Sequence, residues 1–361
     1  MVVDAIECRG FRNLADARTE LGGGIVVVCG PNGAGKTNLL EAVYFGLTAR
    51  SFRSGVDRDM IRFDDSESRV ELELSGGGGH LLAAIARSGE RRHLLGEKPL
   101  AGEPSERPLV SVFHPDRLQL LKGAPARRRA HIDRLCGALW PGRADLRQRF
   151  GRTLAQRNAL VSRIRAGLGG GQSLSSWDGR LASEAEPLIE ARAAAVERLA
   201  EPFARLGSLL GLGEAAEISY RPRAPRDRRE LAAELERRRT VDLGRAYTSY
   251  GPQLDEIEIG LSGRPLRRFG SQGQQRLGLL ALLLAERSAL LDAGRTAPLM
   301  LLDDVMSELD PEHRVLLVEL LADAGQTMIT ATEPAHVPAP IVTRISVDAG
   351  TISRPAALRA A

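Results

Sequence analysis

The chain has 361 residues, of which 43% are hydrophobic, and a formal net charge of +4. This length favours two domains, and the ordinary hydrophobic content favours a globular protein. Three scattered cysteines exclude a disulfide framework, and the longest apolar run, 277–285, is too short to span a bilayer. The first ten residues lack the pattern of a signal peptide, so we expect a cytoplasmic protein with no membrane partner.

The first informative stretch follows a short predicted strand at residues 2–8. A β-branched run at 25–29 predicts a buried parallel strand, and the P-loop pattern Gly-Pro-Asn-Gly-Ala-Gly-Lys-Thr comes directly after it. In such a loop the backbone N–H groups hold phosphates, Lys36 reaches the β- and γ-phosphates, and the Thr37 hydroxyl ligates Mg²⁺. With only three lysines in the chain, a lysine here is not a composition accident. The predicted nucleotide-binding residues are Gly30, Pro31, Asn32, Gly33, Ala34, Gly35, Lys36, Thr37 and Asn38.

The middle of the chain changes character. Residues 70–74 and 80–87 read as an antiparallel hairpin, and 109–113 reads as a buried strand. From about 115 to 247 the spacing is helical except near 218–220, so we predict a helical insertion, with Pro187 and Pro202 interrupting one helix. Residues 123–165 contain eleven arginines and two aspartates. Their densest cluster either contacts DNA or is a solvated face: Arg127, Arg128, Arg129 and Arg134.

After this insertion strand signals return at 254–261, and a long helix is predicted at 270–291. An apolar run at 298–302 then ends in Asp303 and Asp304, which a buried parallel strand would present beside the P-loop. Asp303 is the expected Mg²⁺ ligand together with Thr37. Asp304 would orient or deprotonate the attacking water, with Lys36 as the other catalytic residue. A helix begins near Asp310, and further strands follow at 326–331 and 341–347.

The segment that opens the 270–291 helix places Ser271 and Gly273 at a helix N-terminus, which is a ready anion site. One active site with one P-loop has no evident need for two phosphate sites. We therefore expect Ser271 and Gly273 to bind the γ-phosphate of ATP held by another copy of the chain.

An ordered set of segments carries a resemblance from end to end. They are 11–14, the P-loop, 129–133, Gly251-Pro252, 271–276 and 302–310. On these the chain resembles the ABC-type ATPases of the SMC class, and within them the RecF family of DNA replication and repair proteins. The resemblance implies that Arg12 also contacts the nucleotide and that two heads dimerise on ATP, with Gln274 of one copy beside the nucleotide of the other. The implied dimer contacts are Ser271, Gln272, Ser307 and Asp310.

The chain departs from the wider pattern at several places. Gln272 stands where many ABC proteins have Gly, and Asp304 stands where they have Glu. Because a shorter acid reaches less far, we predict slow hydrolysis that acts as a switch. The residue that senses Mg²⁺ is either His114 or Gln119, and Thr330 and Thr332 stand near the position where many relatives have His.

The predicted fold is an α/β ABC-type ATPase head, with a mixed P-loop sheet and an antiparallel β part. An inserted, mainly helical lobe replaces a long coiled coil. The domain boundaries are 1–114 for the first half of the head, 115–246 for the lobe and 247–361 for the second half.

The expected function is that of an ATP- and Mg²⁺-dependent homodimer that binds DNA at single-strand gaps and helps to load a recombinase. The resemblance further implies RecR, and RecO, as protein partners. The competing hypothesis is an ATP-dependent assembly factor whose lobe binds protein. A transporter ATPase subunit is disfavoured by the large helical insertion.

Overall fold

The computed structural model describes residues 2–100, 109–114, 118–169, 173–213, 215–338 and 343–354. The chain divides into two compact units. Unit 1 combines Met1–Arg117 with Gly294–Ala361, and unit 2 is Leu118–Ala293. The predicted boundary at 246 falls inside unit 2, so the segment 247–293 groups with the inserted helices. The division into two half-heads and a lobe stays a prediction.

The strands of the described residues are β1 (Val3–Arg9), β2 (Ala17–Glu20), β3 (Ile25–Cys29), β4 (Glu67–Leu74), β5 (Gly79–Ala86), β6 (Arg91–Leu95), β7 (Lys98–Pro99), β8 (Val110–Phe113), β9 (Ala216–Arg221), β10 (Glu256–Leu261), β11 (Arg264–Pro265), β12 (Leu299–Leu302), β13 (Thr327–Ala331), β14 (Thr343–Asp348) and β15 (Thr351–Ser353). The α-helices are α1 (Lys36–Thr48), α2 (Gln119–Lys122), α3 (Pro125–Leu139), α4 (Leu146–Arg165), α5 (Leu174–Leu209), α6 (Arg228–Arg237), α7 (Arg239–Arg245), α8 (Leu266–Phe269), α9 (Gln272–Asp292) and α10 (Pro311–Ala322).

A mostly parallel sheet organises unit 1. Its order is β15-β14-β3-β13-β12-β8, and only the β15 pairing with β14 is antiparallel. Strands β3, β12 and β13 are buried along their whole length, as continuous apolar runs predict for a sheet covered on both faces. Because parallel strands end at one edge, the P-loop after β3 and the carboxylates after β12 meet there, with β13 between them.

A second sheet of unit 1 is antiparallel, with the order β2-β1-β4-β5-β6-β7. The predicted hairpin is its β4–β5 pair. Helix α1 contacts β4 and β5 of this sheet and β13 of the parallel sheet. One apolar core therefore joins both sheets around the helix that follows the P-loop. It includes Val26, Leu40, Phe45, Leu72 and Leu301, all at most 1% exposed.

Unit 2 is built around α5, a helix of 36 residues that packs against α4, α6 and α9. Pro187 and Pro202 lie inside this helix, so the predicted interruptions do not end it. Each interior proline costs about 3 kcal/mol in an isolated helix. In α5 an extended buried face, which includes Leu188, Ile189 and Phe203, offsets that cost through packing.

The strand predicted at 254–261 is β10, and it pairs with β9 and β11 in a small antiparallel sheet of unit 2. The helical spacing predicted up to about 247 is formed, after β9, by two helices, α6 and α7. The strand predicted at 341–347 begins in the structure at Thr343, and residues 341 and 342 lie outside the described part of the chain. Across the described residues, no helix is both long and apolar enough to span a membrane.

Candidate functional site

The P-loop connects β3 to α1. Its glycines either have backbone angles that disfavour a side chain or leave no room for one. Gly35 is the N-cap of α1 with φ 114°, and a Cβ there would lie 3.0 Å from Oδ1 of Asn13. A Cβ at Gly30 would lie 2.0 Å from the carbonyl oxygen of Val347. Gly33 has φ 81°, and a Cβ there would meet nothing within 4 Å, so one side of the loop is open.

Lys36 folds back over the loop that precedes it. Its Nζ donates to the carbonyl oxygens of Gly30 at 2.8 Å and Pro31 at 3.0 Å. An ammonium has three donors, so one more remains for a ligand. The predicted phosphate-binding lysine is therefore held at the mouth of the loop by backbone oxygens.

The two halves of the predicted metal site meet in unit 1. The Thr37 hydroxyl donates to both carboxylate oxygens of Asp303, at 2.9 Å to Oδ1 and 3.0 Å to Oδ2. Asp303 is only 5% exposed. A hydroxyl and one carboxylate form the hard oxygen set that Mg²⁺ takes from proteins that also bind nucleotide phosphates. The residues present thus fit the predicted ion.

A threonine on β13 joins the two adjacent carboxylate residues. Thr330 Oγ1 donates to Oδ1 of Asp303 at 2.8 Å and accepts the backbone N–H of Asp304, also at 2.8 Å. Asp304 has left-handed backbone angles, φ 49° and ψ 30°, and its side chain is exposed. Its carbonyl oxygen accepts from Ser307 Oγ at 2.8 Å. From the sequence, Thr330 stood out only because many relatives have His near this position.

The two candidates for the Mg²⁺ sensor have different settings. His114 is 8% exposed, and its Nε2 lies 3.5 Å from Oδ2 of Asp303. Gln119 begins α2, which belongs to unit 2. Within unit 1, His114 is therefore the candidate that contacts the predicted metal ligand.

Arg12 is anchored by a carboxylate that the sequence did not single out. Its Nε and Nη2 donate to the two oxygens of Glu41 at 2.5 and 2.7 Å, and Glu41 is 0% exposed on α1. A third donor reaches the carbonyl oxygen of Asp59 at 2.9 Å. Glu41 also accepts the Ser51 hydroxyl at 2.5 Å. The P-loop helix thus fixes the guanidinium of Arg12 beside the loop.

An open groove of about 810 Å³ lies next to the P-loop helix in unit 1. Arg12 and Asn38, both predicted to contact the nucleotide, line it beside Asn13, and Asn38 donates to Asn13 Oδ1 at 2.6 Å. The rest of the lining is Arg58, Asp59, Ile61, Arg62, Phe63 and Arg87. Arginines and an exposed aromatic ring suit an anionic, stacking ligand.

The predicted second anion site opens α9 in unit 2. Ser271 is the N-cap, and its Oγ accepts the Gln274 N–H at 3.2 Å while Gln274 Oε1 accepts the Ser271 N–H at 2.9 Å. This capping box fixes the first turn of the helix. Ser271, Gln272 and Gly273 are exposed. The other two predicted dimer residues, Ser307 and Asp310 in unit 1, are also exposed, and Asp310 caps α10.

The arginine cluster of α3 divides into two pairs. Arg128 is 3% exposed and forms an ion pair with Glu256 at 2.8 Å. Arg129 is half-buried and donates to the Asp255 carbonyl oxygen at 2.8 Å. The prediction of a DNA contact is therefore wrong for Arg128, because its charge is neutralised inside unit 2, and Arg129 is already engaged. Arg127 and Arg134 are exposed.

Two of the segments that carried the family resemblance meet in a buried network of unit 2. Arg192 on α5 donates to both oxygens of Asp133 and to Oδ2 of Asp255, at 2.7 to 3.0 Å. It also donates to the Pro252 carbonyl oxygen at 2.7 Å. Burial raises the pKa of Asp255 above its usual value, although Tyr220 and Arg192 donate to it. These segments hold α3, α5 and the start of β10 together.

Comparison with known proteins bears on this arrangement. A family model of the RecF/RecN/SMC N-terminal domain matches residues 2–75. The chain is 36% identical over 345 residues to the DNA replication and repair protein RecF of Heliobacterium modesticaldum, and 92% of each chain is covered. The chain belongs to the RecF family. A second RecF, from Frankia alni, is 35% identical over 370 residues, with 95% of this chain and 97% of that one covered.

Solved structures agree with the sequence relatives. The recombination mediator protein RecF with ATP, in the RecFOR pathway, superimposes with a TM-score of 0.84 at 25% identity, covering 98% of this chain and 97% of that one. An Smc head domain with an extended coiled coil, from Pyrococcus furiosus, shares the fold with a TM-score of 0.56 at 15% identity, covering 97% of this chain and 95% of that one. The predicted ABC-type head with a helical insertion is thereby confirmed, and the RecF family places the chain among the ABC-type ATPases.

Proposed function

We propose that this RecF-family chain is an ATP-switched protein of recombinational repair, which dimerises on ATP and binds DNA at single-strand gaps. The observation that carries the proposal is the contact between Thr37 and Asp303. It joins the P-loop to the carboxylate that follows β12, in the geometry of a nucleoside-triphosphate site.

In this proposal Gly30–Thr37 binds the phosphates of ATP through backbone N–H groups, and Lys36 moves its free donor to the β- and γ-phosphates. Thr37 and Asp303 would hold Mg²⁺, which would neutralise phosphate charge. Arg12, Asn13 and Asn38 line the adjoining groove, which would receive the nucleoside part of ATP.

Hydrolysis is assigned to Asp304, whose exposed carboxylate accepts the proton of the attacking water. The new bond forms between the water oxygen and the γ-phosphorus, the bond to the β-phosphate oxygen breaks, and ADP leaves. Because aspartate is one methylene shorter than glutamate, the carboxylate reaches the water less well. We infer a turnover well below the enzyme median of about 10 s⁻¹, which suits a timed switch.

Dimerisation is assigned to the capping box of α9. The hydroxyl of the exposed residue Ser271 and the backbone N–H of the exposed residue Gly273 would bind the γ-phosphate of ATP held by a second copy. Gln274 completes this first turn, and Gln272, Ser307 and Asp310 would lie at the contact between copies. ATP then acts as the bridge between two chains.

DNA binding is assigned to exposed arginines of unit 2. Arg127 and Arg134 remain from the predicted cluster, and α4 carries a further exposed set: Arg152, Arg163 and Arg165. Such contacts would be to phosphates and so independent of sequence. By family resemblance RecR and RecO are the expected protein partners, with loading of a recombinase as the outcome and the cytoplasm as the location.

The proposal is tested by nucleotide binding and mass measurement on the same samples. We expect a fluorescent ATP analogue to bind the wild-type chain, and we expect ATP with Mg²⁺ to double the mass seen by light scattering. Lys36→Ala should weaken nucleotide binding by at least tenfold and remain a monomer. A wild-type protein that stays monomeric with saturating ATP would contradict the proposal.

The second candidate is an ATP-dependent assembly factor whose helical unit binds a protein. The burial of Arg128 and the engagement of Arg129 favour it, because they remove two of the four arginines from the predicted DNA surface. The two candidates differ in salt dependence. Contacts with phosphates give a DNA affinity that falls steeply with salt, whereas an assembly factor would bind DNA weakly at any salt concentration.

A further inference from the structure

The two backbone polar groups of Asp304 are both hydrogen-bonded to side chains. Its N–H is bound by the Thr330 hydroxyl, and its carbonyl oxygen is bound by the Ser307 hydroxyl, each at 2.8 Å. Between these two bonds the residue keeps a left-handed conformation, with φ 49°. Residues other than glycine adopt that region rarely, although aspartate does so more readily than most. The local backbone is therefore specified by neighbours and not by its own preference.

The hydroxyl of Thr330 serves two residues at once. Its proton is donated to Oδ1 of Asp303, and its lone pair accepts the N–H of Asp304. The residue is 1% exposed near the end of β13, so water does not compete for either bond. Consequently the position of the Asp303 carboxylate and the backbone of Asp304 are set by one rigid group.

We propose that Thr330 is a positioning residue for ATP hydrolysis: its hydroxyl aligns Asp303 and Asp304 with each other, and Ser307 completes the hold on Asp304. The inference rests on the proposed ATPase function. It makes Thr330 act through the two carboxylates, with no contact to substrate. It also connects the Ser307 segment, a proposed contact between copies, to the residue assigned to activate water.

The mechanism predicts a specific kinetic signature. Loss of the hydroxyl leaves the P-loop and Lys36 in place, and Thr37 still donates to both carboxylate oxygens of Asp303, so ATP binding should change little. The carboxylate of Asp304 would be misplaced by a fraction of an ångström or more. Such misplacement lowers the rate of the chemical step by about tenfold to a hundredfold. The effect should therefore appear in kcat and not in KM.

The matched control is Thr327 on the same strand. Its hydroxyl is also buried, at 1% exposure, but Oγ1 finds no hydrogen-bond partner among the described residues. Thr327→Val removes a hydroxyl of the same kind from β13 without touching Asp303 or Asp304. Thr330→Ser keeps the hydroxyl and loses only a methyl group.

The experiment compares steady-state ATP hydrolysis by the full chain and by Thr330→Val, Thr330→Ser and Thr327→Val, with nucleotide affinity measured separately. We expect Thr330→Val to lower kcat at least tenfold with KM within about threefold, and we expect the other two variants to stay near wild type. If Thr330→Val fails to fold, Thr330→Ala removes the hydroxyl without added bulk and carries the same expectation.

The outcomes separate this inference from the function on which it rests. Equal loss of kcat in Thr330→Val and Thr327→Val, or a loss in Thr330→Val confined to KM, would overturn the positioning role. A wild-type chain that binds no ATP and hydrolyses none would overturn the proposed function, whatever the variants do.

Discussion

The hydroxyl of Thr37, at the start of α1, donates to Oδ1 of Asp303 at 2.9 Å across 266 positions of sequence. The parallel sheet makes this contact possible, because β3 and β12 are separated only by β13 and end at the same edge. Thr330 on β13 then joins Asp303 to Asp304. The chemistry of the site therefore follows from strand order.

The role of Asp304 gives a first prediction. Asp304→Asn removes the group that accepts the proton of the attacking water, so turnover should fall by about 10² to 10⁴ while ATP binding remains. Asp304→Glu extends the carboxylate by one methylene and should raise turnover above wild type. Phosphate release at saturating ATP measures both. Wild-type turnover in Asp304→Asn would exclude this residue as the base.

At the capping box of α9, a negative charge can be introduced at Ser271 without a loss of helix stability. Asp, Asn and Ser cap helices about equally well, so neither Ser271→Asp nor Ser271→Asn should unfold α9. Only the aspartate places a negative charge where the γ-phosphate of a second copy would bind. We expect Ser271→Asp to remain monomeric with ATP in light scattering, and Ser271→Asn to dimerise. Similar behaviour of both variants would argue against a phosphate contact at Ser271.

The exposed arginines predict a change in salt dependence. Each lost phosphate contact lowers the slope of log affinity against log salt by about 0.9 for duplex DNA. Replacing both Arg127 and Arg134 by Gln should therefore flatten the slope by about two. Arg18→Gln is the control, because Arg18 is an exposed arginine of unit 1 that is paired with Glu73 at 2.7 Å. A slope unchanged by the double variant would remove these residues from the DNA surface.

Two buried thiols predict how stability depends on pH. Burial, followed by the charge of Asp16 for Cys8 and of Asp133 for Cys136, raises the pKa of each thiol from 9.0 to about 12. Above pH 9.0 the unfolded chain has lost these protons and the folded chain has kept them, so stability falls as pH rises toward about 12. Each thiol contributes up to about 1.4 kcal/mol per pH unit.

The measurement for the thiols is the free energy of unfolding in urea between pH 8 and about 10.5. Removing both thiols, in a Cys8→Ala and Cys136→Ala variant, should make the decline shallower, whatever the absolute stability of the variant. Parallel curves for wild type and variant would show that other groups cause the decline.

Much of the site could be predicted from sequence because its parts are local patterns. About ten consecutive residues are enough to recognise each of them: the P-loop, the apolar run before Asp303 and the cap at Ser271. No such pattern identifies Glu41 or Thr330, since a single acid on a helix and a single threonine in a strand are common. Only the folded chain shows that Glu41 holds Arg12 and that Thr330 holds both carboxylates.

The helical unit was harder to predict for a related reason. Charge density suggested a DNA surface at Arg128, but a sequence does not show which arginines pair internally. Arg157 is an extreme case, being 0% exposed and paired with Asp178 and Asp242 at 2.8 Å. Its partners come from α5 and α7, well removed along the chain, so no local pattern marks it as a core residue.

The central claim is that ATP controls DNA binding, and equilibrium binding to a short gapped duplex with and without ATP tests it most directly. Wild type with ATP and Mg²⁺ should bind more tightly than without nucleotide, and Lys36→Ala should lose that gain while retaining the nucleotide-free affinity. A DNA affinity that is weak and indifferent to ATP in both proteins would contradict the claim and favour a protein-binding role for the helical unit.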